Sequence, residues 1–424
     1  MLAWNCDKAN IMKCEIIVIG DELLIGQVVD TNSAWMAAEL NKQGWDVTHI
    51  ATINDEADTI KDAISSAFSR VDAVLMTGGL GPTSDDVTKP VLCQYFGGKM
   101  IFSQEVYEQN LRYFAGRGLQ MNESTRRQAE VPDVCTVIAN PVGTAPVMWF
   151  EREGKVLVAM PGVPFEMETM MEREVIPQLL KKVVVDDHIE HKTFIVIGYA
   201  ESALAIKLDT FEKEMPDYIH LAYLPKPGIV RLRLTGMSKD AELIKRDMQI
   251  LSDKLDDILG NAIVCQEDKP LSAIIGDKLR EQNLFLATAE SCTGGNIAHQ
   301  ITAISGSSDY YKGSVVSYSN DVKLSLLKVD KKVIDENGAV SEPVVKQMVL
   351  GVCELLETDC AVATSGIAGP GGGTELKPVG TVWIAAKVRD KITTICKHFP
   401  GSRDRVIDRA TTEAQIILLR LLTE

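Results

Sequence analysis

From residue 14 onward, short runs of β-branched residues alternate with segments of helical periodicity, and this alternation restricts the fold more than any other feature. CEIIVIG (14–20), DVTHIAT (46–52) and DAVLMT (72–77) have the composition of buried strands, and a helical segment separates each from the next. Strands that alternate with helices in this way form a parallel sheet covered by helices. Residues 1–175 are therefore predicted to form a parallel α/β domain.

Two further domains are predicted downstream. Residues 176–266 contain, in order, strand, helix, strand, strand, helix and strand, which is the βαββαβ order of a small ferredoxin-like α+β domain. Its strand IVRLRLTG (229–236) alternates apolar and basic residues, so one face of that sheet is expected to be solvated. Residues 267–424 begin and end with amphipathic helices and hold further buried strands, which predicts a second α/β domain.

The charge balance limits the classes of partner. The 424 residues include 59 Asp and Glu against 44 Lys and Arg, a formal net charge of −15, and no basic run interrupts this balance. Nucleic acid and anionic membranes are therefore not expected as partners. The nine cysteines form no CxxC pair and no apolar stretch reaches the ~18 residues of a membrane span, so a soluble cytoplasmic protein is expected.

A glycine-rich loop, TGGLGPTSDDVT (77–88), separates a buried strand from a helix in the first domain. Such loops bring backbone N–H groups close to a ligand phosphate at a helix N-terminus. The candidate substrate-binding residues of this loop are Gly78, Gly79, Gly81 and Thr83. Asp85 and Asp86 would repel a phosphate unless a hard cation lay between them, which favours Mg²⁺ or a similar divalent metal.

A second acidic segment is expected at the same edge of the sheet. IGDELLIG places Asp21 and Glu22 at the carboxyl end of the first strand, where open α/β sheets bind ligands. Residues 30–32 are expected to reach the same crevice. Asp21 and Glu22 therefore join Asp85 and Asp86 as candidate metal ligands. The alternative is that the acids cap helix starts and the glycines only turn the chain.

The third predicted domain carries three polar loops after strands: AESCTGG (289–295), SGSSDYYKGSVVSYSNDVK (305–323) and SGIAGPGGGTELKPVGTVW (365–383). Gly294 and Gly295 directly precede a predicted helix, as glycines do in loops that bind phosphate, so a phosphorylated substrate is expected. Cys292 has no histidine near it in the sequence and is interpreted as a packing residue.

Ser308 and Lys323 lie fifteen residues apart in the second of these loops. A serine hydroxyl is a weak nucleophile near pH 7, so it needs a base, and either a neutral Lys323 or an ionised Tyr318 could take the proton. Burial can lower the pKa of a lysine enough for this role. By spacing alone, however, a serine and a lysine in one polar loop are usually solvated and without function.

Four segments of the first domain, in order along the chain, are IGDELLIGQVVDTN, TGGLGPTSDDVT, NPVGTAP (140–146) and MPGVPFEME (160–168). They resemble the motifs of the molybdopterin-binding-like domain of the CinA (competence/damage-inducible) family. The resemblance implies a nucleotide-type ligand and, in some family members, metal-dependent hydrolysis of the pyrophosphate of ADP-ribose. Asp86 matches an essential aspartate of the related molybdopterin-adenylylating domains, whereas Asp85 stands where several of them have arginine. The alternative is a nucleotide- or molybdopterin-binding or regulatory module without turnover.

The segments TAESCTGG, GSSDYYKGSVVSYSNDVK, GAVSEPVV (338–345), SGIAGPGGG and KPVGTVW cover nearly all of residues 270–424. They resemble the motif series of the CinA C-terminal domain, the nicotinamide-nucleotide amidase (NMN deamidase) family. The resemblance implies hydrolysis of the carboxamide of nicotinamide mononucleotide (NMN) to nicotinate mononucleotide and ammonia, without a metal.

Site residues follow from the same resemblance. By motif position, the catalytic residues would be Ser308, Lys323 and Tyr318. The residues lining the nucleotide pocket would be Ser291, Thr293, Gly294, Asn320, Ser365, Gly366 and Arg403. The family also implies a homodimer. Its small-molecule partners would be NMN and ADP-ribose, with the divalent metal at the first-domain site only.

Overall fold

The computed structural model describes residues 13–83, 86–182 and 188–424. Contacts between residues divide the chain into two units. The first covers the described chain up to Ile189 together with Met237–Ile244, and the second covers Glu190–Gly236 with Lys245–Glu424.

The first unit is built from eight strands and eight α-helices within the described residues. The strands are β1 Lys13–Ile19, β2 Asp46–Ile53, β3 Ala73–Thr77, β4 Met100–Phe102, β5 Glu130–Pro132, β6 Thr136–Ile138, β7 Val147–Arg152 and β8 Lys155–Met160. The helices are α1 Asp21–Leu24, α2 Asn32–Lys42, α3 Ala57–Phe68, α4 Thr88–Phe96, α5 Gln104–Ala115, α6 Glu123–Arg126, α7 Pro164–Met170 and α8 Ile176–Lys182. A 3₁₀ turn spans Arg127–Ala129 and a π-helical turn spans Met171–Val175.

Six of these strands form one sheet in the order β2-β1-β3-β8-β7-β6. Strands β1, β2, β3 and β8 run parallel, β7 pairs antiparallel with β8, and β6 pairs antiparallel with β7 at that edge. Strands β4 and β5 pair separately. The predicted parallel α/β domain is confirmed, and the antiparallel edge is a feature that the sequence patterns did not predict.

Strand β1 is buried on both faces, which explains why its sequence lacks the polar alternation of a half-exposed strand. Ile16 packs in one hydrophobic cluster with Met36 of α2. Ile17 packs in the opposite cluster with Ile60 of α3. Helices therefore cover both faces of the sheet, and the loops at the carboxyl ends of the parallel strands form the edge where a ligand can bind.

The middle segment follows the predicted βαββαβ order. Its elements are β9 His188–Ile197, α9 Glu201–Lys213, β10 Ile219–Lys226, β11 Ile229–Ser238, α10 Ala241–Leu259 and β12 Ile263–Cys265. The strands form a sheet in the order β10-β11-β9-β12, and a 3₁₀ turn, Gly260–Ala262, precedes β12.

The basic face of β11 is only partly solvated, whereas a solvated face was predicted. Ile229 lies on the same face as Arg231 and Arg233 and belongs to a hydrophobic cluster that also contains Ile416 of the last helix. Both arginines are half-buried, and Arg231 Nε lies 3.2 Å from Asp268 Oδ1. A strand that alternates apolar and basic residues can turn its basic face to solvent or pack it partly against another layer of the protein. In β11 the basic face packs partly against the layer that contains α16.

The C-terminal part of the second unit has a five-stranded sheet. Its strands are β13 Leu286–Glu290, β14 Tyr311–Val316, β15 Cys360–Gly366, β16 Thr381–Val388 and β17 Lys391–His398. Its helices are α11 Leu271–Gln282, α12 Asn296–Thr302, α13 Asn320–Ser325, α14 Lys331–Asn337, α15 Glu342–Leu356 and α16 Arg403–Thr423, with a 3₁₀ turn at Ser307–Asp309.

The strand order is β14-β13-β15-β16-β17. Strands β14, β13 and β15 run parallel, β16 pairs antiparallel with β15, and β17 pairs antiparallel with β16. Helices α11 and α16 pack on one face and α15 packs on the other. Because β13, β14 and β15 are parallel, the loops that follow them lie at one edge of the sheet. Across the residues that the structure describes, no helix has both the length and the apolar composition needed to span a membrane.

Candidate functional site

A cavity of about 430 Å³ lies at the carboxyl ends of β1, β3 and β8. Its lining includes the predicted residues Glu22, Gly78, Gly79, Gly81, Thr83 and Asp86, together with residues 30–32. Asp21 is exposed and does not line the cavity. Asp85 lies outside the described residues. The structure therefore brings the glycine loop and two of the four predicted metal ligands to one site.

Two glycines of this loop have no room for a side chain. Gly78 has a φ of +105°, and a Cβ there would lie 2.1 Å from the carbonyl oxygen of Ile19. Gly79 has a φ of +63°, and a Cβ there would lie 2.1 Å from Thr88 Oγ1. The loop therefore packs closely against β1 and α4, which leaves its backbone exposed to the cavity.

The carboxylate of Asp86 holds the glycine loop in shape. Gly81 N donates to Asp86 Oδ1 at 2.7 Å. Thr83 N and Thr83 Oγ1 donate to Asp86 Oδ2 at 2.9 and 2.5 Å. Each carboxylate oxygen can accept more than one bond, so Asp86 can order the loop and also face a ligand.

Further polar groups line the same cavity. Asn32 Nδ2 donates to the carbonyl oxygen of Gly162 at 2.8 Å, while the buried Asn32 Oδ1 has no hydrogen-bond partner among the described residues. Asp30 and Asp55 also line the cavity. Asp55, which follows β2, was missed in the sequence, because the only signal was its position after a predicted strand.

These oxygen donors fit one mode of divalent-metal binding. Within the described ranges, no three His, Cys, Asp or Glu side chains are grouped as a complete protein cage for a metal. Mg²⁺ is commonly held by one or two carboxylates, with water and substrate phosphates completing its shell. The carboxylates of the cavity suit that mode, since all are hard oxygen ligands beside a loop that offers backbone N–H groups.

The second unit contains a buried serine–lysine contact. Lys323 is 1 % exposed, and its Nζ donates to Ser291 Oγ at 3.1 Å and to the carbonyl oxygen of Ser317 at 2.6 Å. Burial lowers the pKa of Lys323. A lowered lysine pKa beside a serine hydroxyl is the arrangement that a serine nucleophile with a lysine base requires.

The sheet topology creates this contact. Ser291 follows β13 directly, and its backbone N–H donates to the carbonyl oxygen of Thr364 in β15 at 3.0 Å. Lys323 lies in α13 just after β14, and Ser319 Oγ caps that helix by accepting from Val322 N. Since β13 and β14 are parallel neighbours, the two loops emerge side by side.

Ser308 is not part of this contact, which corrects the predicted Ser308–Lys323 pair. Ser308 is exposed in the 3₁₀ turn before β14, whereas Lys323 follows β14. The strand between them has 6 residues, so the two side chains lie on opposite edges of the sheet, roughly 20 Å apart. The predicted pairing was wrong because a strand lies between the two residues and holds them apart, although they are close along the chain.

The predicted phosphate cradle at Gly294 is also wrong in part, because a side chain of the protein occupies it. The carboxylate of Glu290 accepts hydrogen bonds from three backbone N–H groups at the start of α12. Thr293 Oγ1 donates to the same carboxylate at 2.7 Å and is buried. A Cβ on Gly294 would meet nothing within 4 Å, so this residue does border open space. The sequence signal for Glu290 was an acid just before a glycine-rich helix start.

Arg403 and Tyr318 lie together at the exposed side of this edge. Arg403 Nη2 donates to the Tyr318 hydroxyl at 2.9 Å, and Arg403 Nη1 donates to the carbonyl oxygen of Gly369 at 2.8 Å. Tyr318 is 64 % exposed. Among the described residues Tyr318 makes no hydrogen bond to Ser291, whereas Lys323 does.

The remaining predicted pocket residues differ in exposure. Asn320 is exposed at the first position of α13. Ser365 is buried, and its Oγ donates to the carbonyl oxygen of Ala339 at 2.7 Å. A Cβ on Gly366 would lie 2.7 Å from Val382 Cγ2 and 3.0 Å from Cys292 Sγ. Gly366 thus allows close packing behind the serine loop.

Cys292 is a packing residue, as the sequence indicated. It is buried, and burial raises the pKa of its thiol to about 12. A thiol with such a pKa stays protonated near neutral pH and is a poor nucleophile.

The chain is 42% identical over 408 residues to the CinA-like protein of Flavobacterium psychrophilum, covering 95% of this chain and 97% of that protein. The chain belongs to the CinA family. A CinA-like protein of Chloroherpeton thalassium is 39% identical over 418 residues, covering 97% of this chain and 99% of that protein. The family membership predicted from the motifs is confirmed.

Three family descriptions match successive parts of this CinA-family chain. They are "Probable molybdopterin binding domain" over residues 15–181, "Damage-inducible protein CinA KH domain" over 191–264 and "CinA C-terminal domain" over 268–422.

Solved structures of the superfamily align with part of the chain. A CinA superfamily protein from Klebsiella pneumoniae is 36% identical with a TM-score of 0.35, covering 36% of this chain and 96% of that chain. CinA from Thermoplasma acidophilum is 29% identical with a TM-score of 0.37, covering 41% of this chain and 100% of that chain.

Proposed function

We propose that the C-terminal part of this CinA-family protein hydrolyses the carboxamide of NMN to a carboxylate and ammonia, with Ser291 as nucleophile and Lys323 as base. The observation that carries the proposal is the 3.1 Å contact between the buried Lys323 Nζ and Ser291 Oγ. The motif resemblance to nicotinamide-nucleotide amidases supports the choice of substrate. Ser291, assigned to the substrate pocket from the sequence, takes the role first given to Ser308.

The residues support a balanced reaction sequence. Ser291 Oγ would attack the carboxamide carbon while its proton passes to the neutral amine of Lys323. The tetrahedral intermediate would expel ammonia as Lys323 returns the proton to the leaving nitrogen. Water would then attack the resulting ester, with Lys323 again taking a proton and passing it to Ser291. The products are nicotinate mononucleotide and the regenerated serine.

Backbone donors beside Ser291 suit the developing oxyanion. The backbone N–H groups of Cys292 and Thr293 make no hydrogen bond to another described residue, whereas that of Gly294 donates to the carbonyl oxygen of Ser291 at 3.2 Å. N–H groups that immediately follow a nucleophile are common oxyanion donors. We therefore assign the oxyanion site to the first two residues after Ser291.

The pH dependence of this reaction should follow Lys323. Only the neutral amine can accept the serine proton, so kcat/KM should rise with pH through the pKa of Lys323 and then level off. Because burial lowers that pKa, the rise should lie below the ordinary lysine value of ~10.4. Lys323→Arg, which keeps the positive charge at every pH, should be inactive throughout. A kcat/KM that falls as the pH rises through this range, or an active Lys323→Arg variant, would contradict the assignment of Lys323 as the base.

The deciding experiment is ammonia release from NMN by the purified full-length chain, with and without a metal chelator. Release that resists the chelator is expected, because the serine–lysine mechanism contains no metal step. Folded protein that releases no ammonia would contradict amidase activity.

For the first unit we infer metal-dependent hydrolysis of the pyrophosphate of ADP-ribose. The observation that favours it is the cavity where the glycine loop and four carboxylates, Glu22, Asp30, Asp55 and Asp86, meet. Glu22 and Asp86 would hold the metal, which would neutralise phosphate charge and polarise the bond to be cleaved. The backbone of the loop would orient the phosphates, and Asn32 would bind a polar group of the ligand through its free Oδ1. The alternative is a ligand-binding module without turnover.

A further inference from the structure

Glu290 is a fully buried carboxylate at the end of β13, directly before Ser291. Its Oε2 accepts hydrogen bonds from Thr293 Oγ1, Gly295 N and Ile297 N at 2.7, 3.0 and 3.1 Å. Its Oε1 accepts a hydrogen bond from Ala298 N at 2.8 Å. Thr288 Oγ1 also donates to Oε1, at 3.5 Å. Three of these five donors are backbone N–H groups at the start of α12, so the side chain ties the end of β13 to the start of α12 across the serine loop.

No Lys or Arg side chain among the described residues forms an ion pair with Glu290. Its carboxylate is instead surrounded by oriented backbone N–H groups and two threonine hydroxyls, which are donors of the kind that stabilise a buried carboxylate. In glycine-rich loops that bind phosphate, the same kind of donors point at the ligand. Here they are already used by an anion that belongs to the protein.

The backbone of Glu290 connects the serine loop to the lysine. Its carbonyl oxygen accepts from Ser317 N at 2.8 Å, and the carbonyl oxygen of Ser317 accepts from Lys323 Nζ at 2.6 Å. Lys323 Nζ in turn contacts Ser291 Oγ. A shift of Glu290 would therefore move both the nucleophile and the carbonyl group that holds its base.

We propose that Glu290 is a positioning residue that takes the place of a substrate phosphate at the start of α12 and thereby fixes Ser291 against Lys323. The substrate phosphate then binds elsewhere in the pocket. This inference rests on the proposed amide hydrolysis at Ser291. It assigns the glycine-rich loop to holding the nucleophile instead of holding the phosphate.

The variant that tests this is Glu290→Gln, which preserves the side-chain size but turns an NH₂ group toward backbone donors. The expected result is a fall in kcat of about 10- to 100-fold, because small displacements of reacting groups cost that much. The KM for NMN should stay within about twofold, since the phosphate does not bind there. The matched control is Glu354→Gln, an exposed residue of α15, which should leave both constants unchanged.

Either of two kinetic results would overturn the proposal. A raised KM with unchanged kcat would place the phosphate at the start of α12, and an unchanged kcat and KM would remove any positioning role. Thr293→Val, which deletes one donor but keeps the carboxylate, should lower kcat in the same direction by a smaller factor. If Glu290→Gln does not fold, the Thr293→Val variant still tests the proposal.

A measurement independent of turnover separates this inference from the proposed function. Amide hydrogen exchange over residues 291–298, followed by mass spectrometry, should be faster in Glu290→Gln than in wild type or Glu354→Gln. Wild-type protein that releases no ammonia would contradict amidase activity, yet faster exchange would still support the role of Glu290 in ordering the loop. Unchanged exchange would overturn that role.

Discussion

Ser291→Ala should reduce ammonia release from NMN by about 10³-fold or more, because it removes the proposed nucleophile, the hydroxyl that Lys323 contacts. Ser308→Ala should keep the rate within about twofold, since it changes an exposed side chain on the opposite edge of the sheet. The measurement is the initial rate of ammonia production by the two variants and the wild type at saturating NMN. The two serines make a matched pair, as the same hydroxyl is deleted in the same domain.

Thermal unfolding of both variants serves as the control for folding. Both should melt near the wild-type temperature. Activity that survives Ser291→Ala but is lost in Ser308→Ala would contradict the nucleophile assignment and restore the one made from the motif. Mass spectrometry of wild type quenched during turnover should detect the acyl group on a peptide that contains Ser291.

Asp86→Asn should lower kcat/KM for the proposed metal-dependent hydrolysis of ADP-ribose by about 10²- to 10³-fold, while NMN hydrolysis is unchanged. The amide keeps one oxygen that can accept from the loop, but it lacks the negative charge with which the carboxylate would attract a divalent metal. The measurement is AMP release from ADP-ribose with added Mg²⁺ or Mn²⁺, in parallel with the ammonia assay on the same preparation.

A second variant and the parallel ammonia assay serve as controls for Asp86→Asn. Glu123→Gln, an exposed acid of α6, should behave as wild type in both assays. Loss of both activities in Asp86→Asn would indicate misfolding and contradict a local role. A wild-type protein that binds ADP-ribose but releases no AMP would contradict turnover and support the binding-module alternative.

The local sequence patterns predicted the secondary structure well, and also which loops lie at the carboxyl ends of the strands. The strand segments predicted at 14–20, 46–52 and 72–77 are observed as β1 Lys13–Ile19, β2 Asp46–Ile53 and β3 Ala73–Thr77. The glycine loop at 77–88 lies at the carboxyl end of β3, where the parallel-strand pattern placed it. These features depend on the spacing of apolar residues and on the allowed backbone angles of glycine, both of which are local properties.

The partners of polar side chains were harder to predict. The sequence placed Ser308, Tyr318 and Lys323 in one polar segment, but β14 divides that segment and moves Ser308 to the other edge of the sheet. No local pattern distinguishes Glu290, because an isolated acid carries no periodic signal. Only the fold places its carboxylate among the backbone donors of α12.

The sequence by itself thus determined the α/β architecture, the CinA family and the loops that carry polar chemistry. Only the tertiary structure decided that Ser291 meets Lys323 and that Glu290 fills the start of α12. The physical reason is that hydrophobic periodicity specifies each strand and helix separately, whereas the pairing of parallel strands specifies which loop ends become neighbours. Hydrogen bonds form between groups that are close in space, and the sheet brings together two residues that are 32 positions apart in the chain.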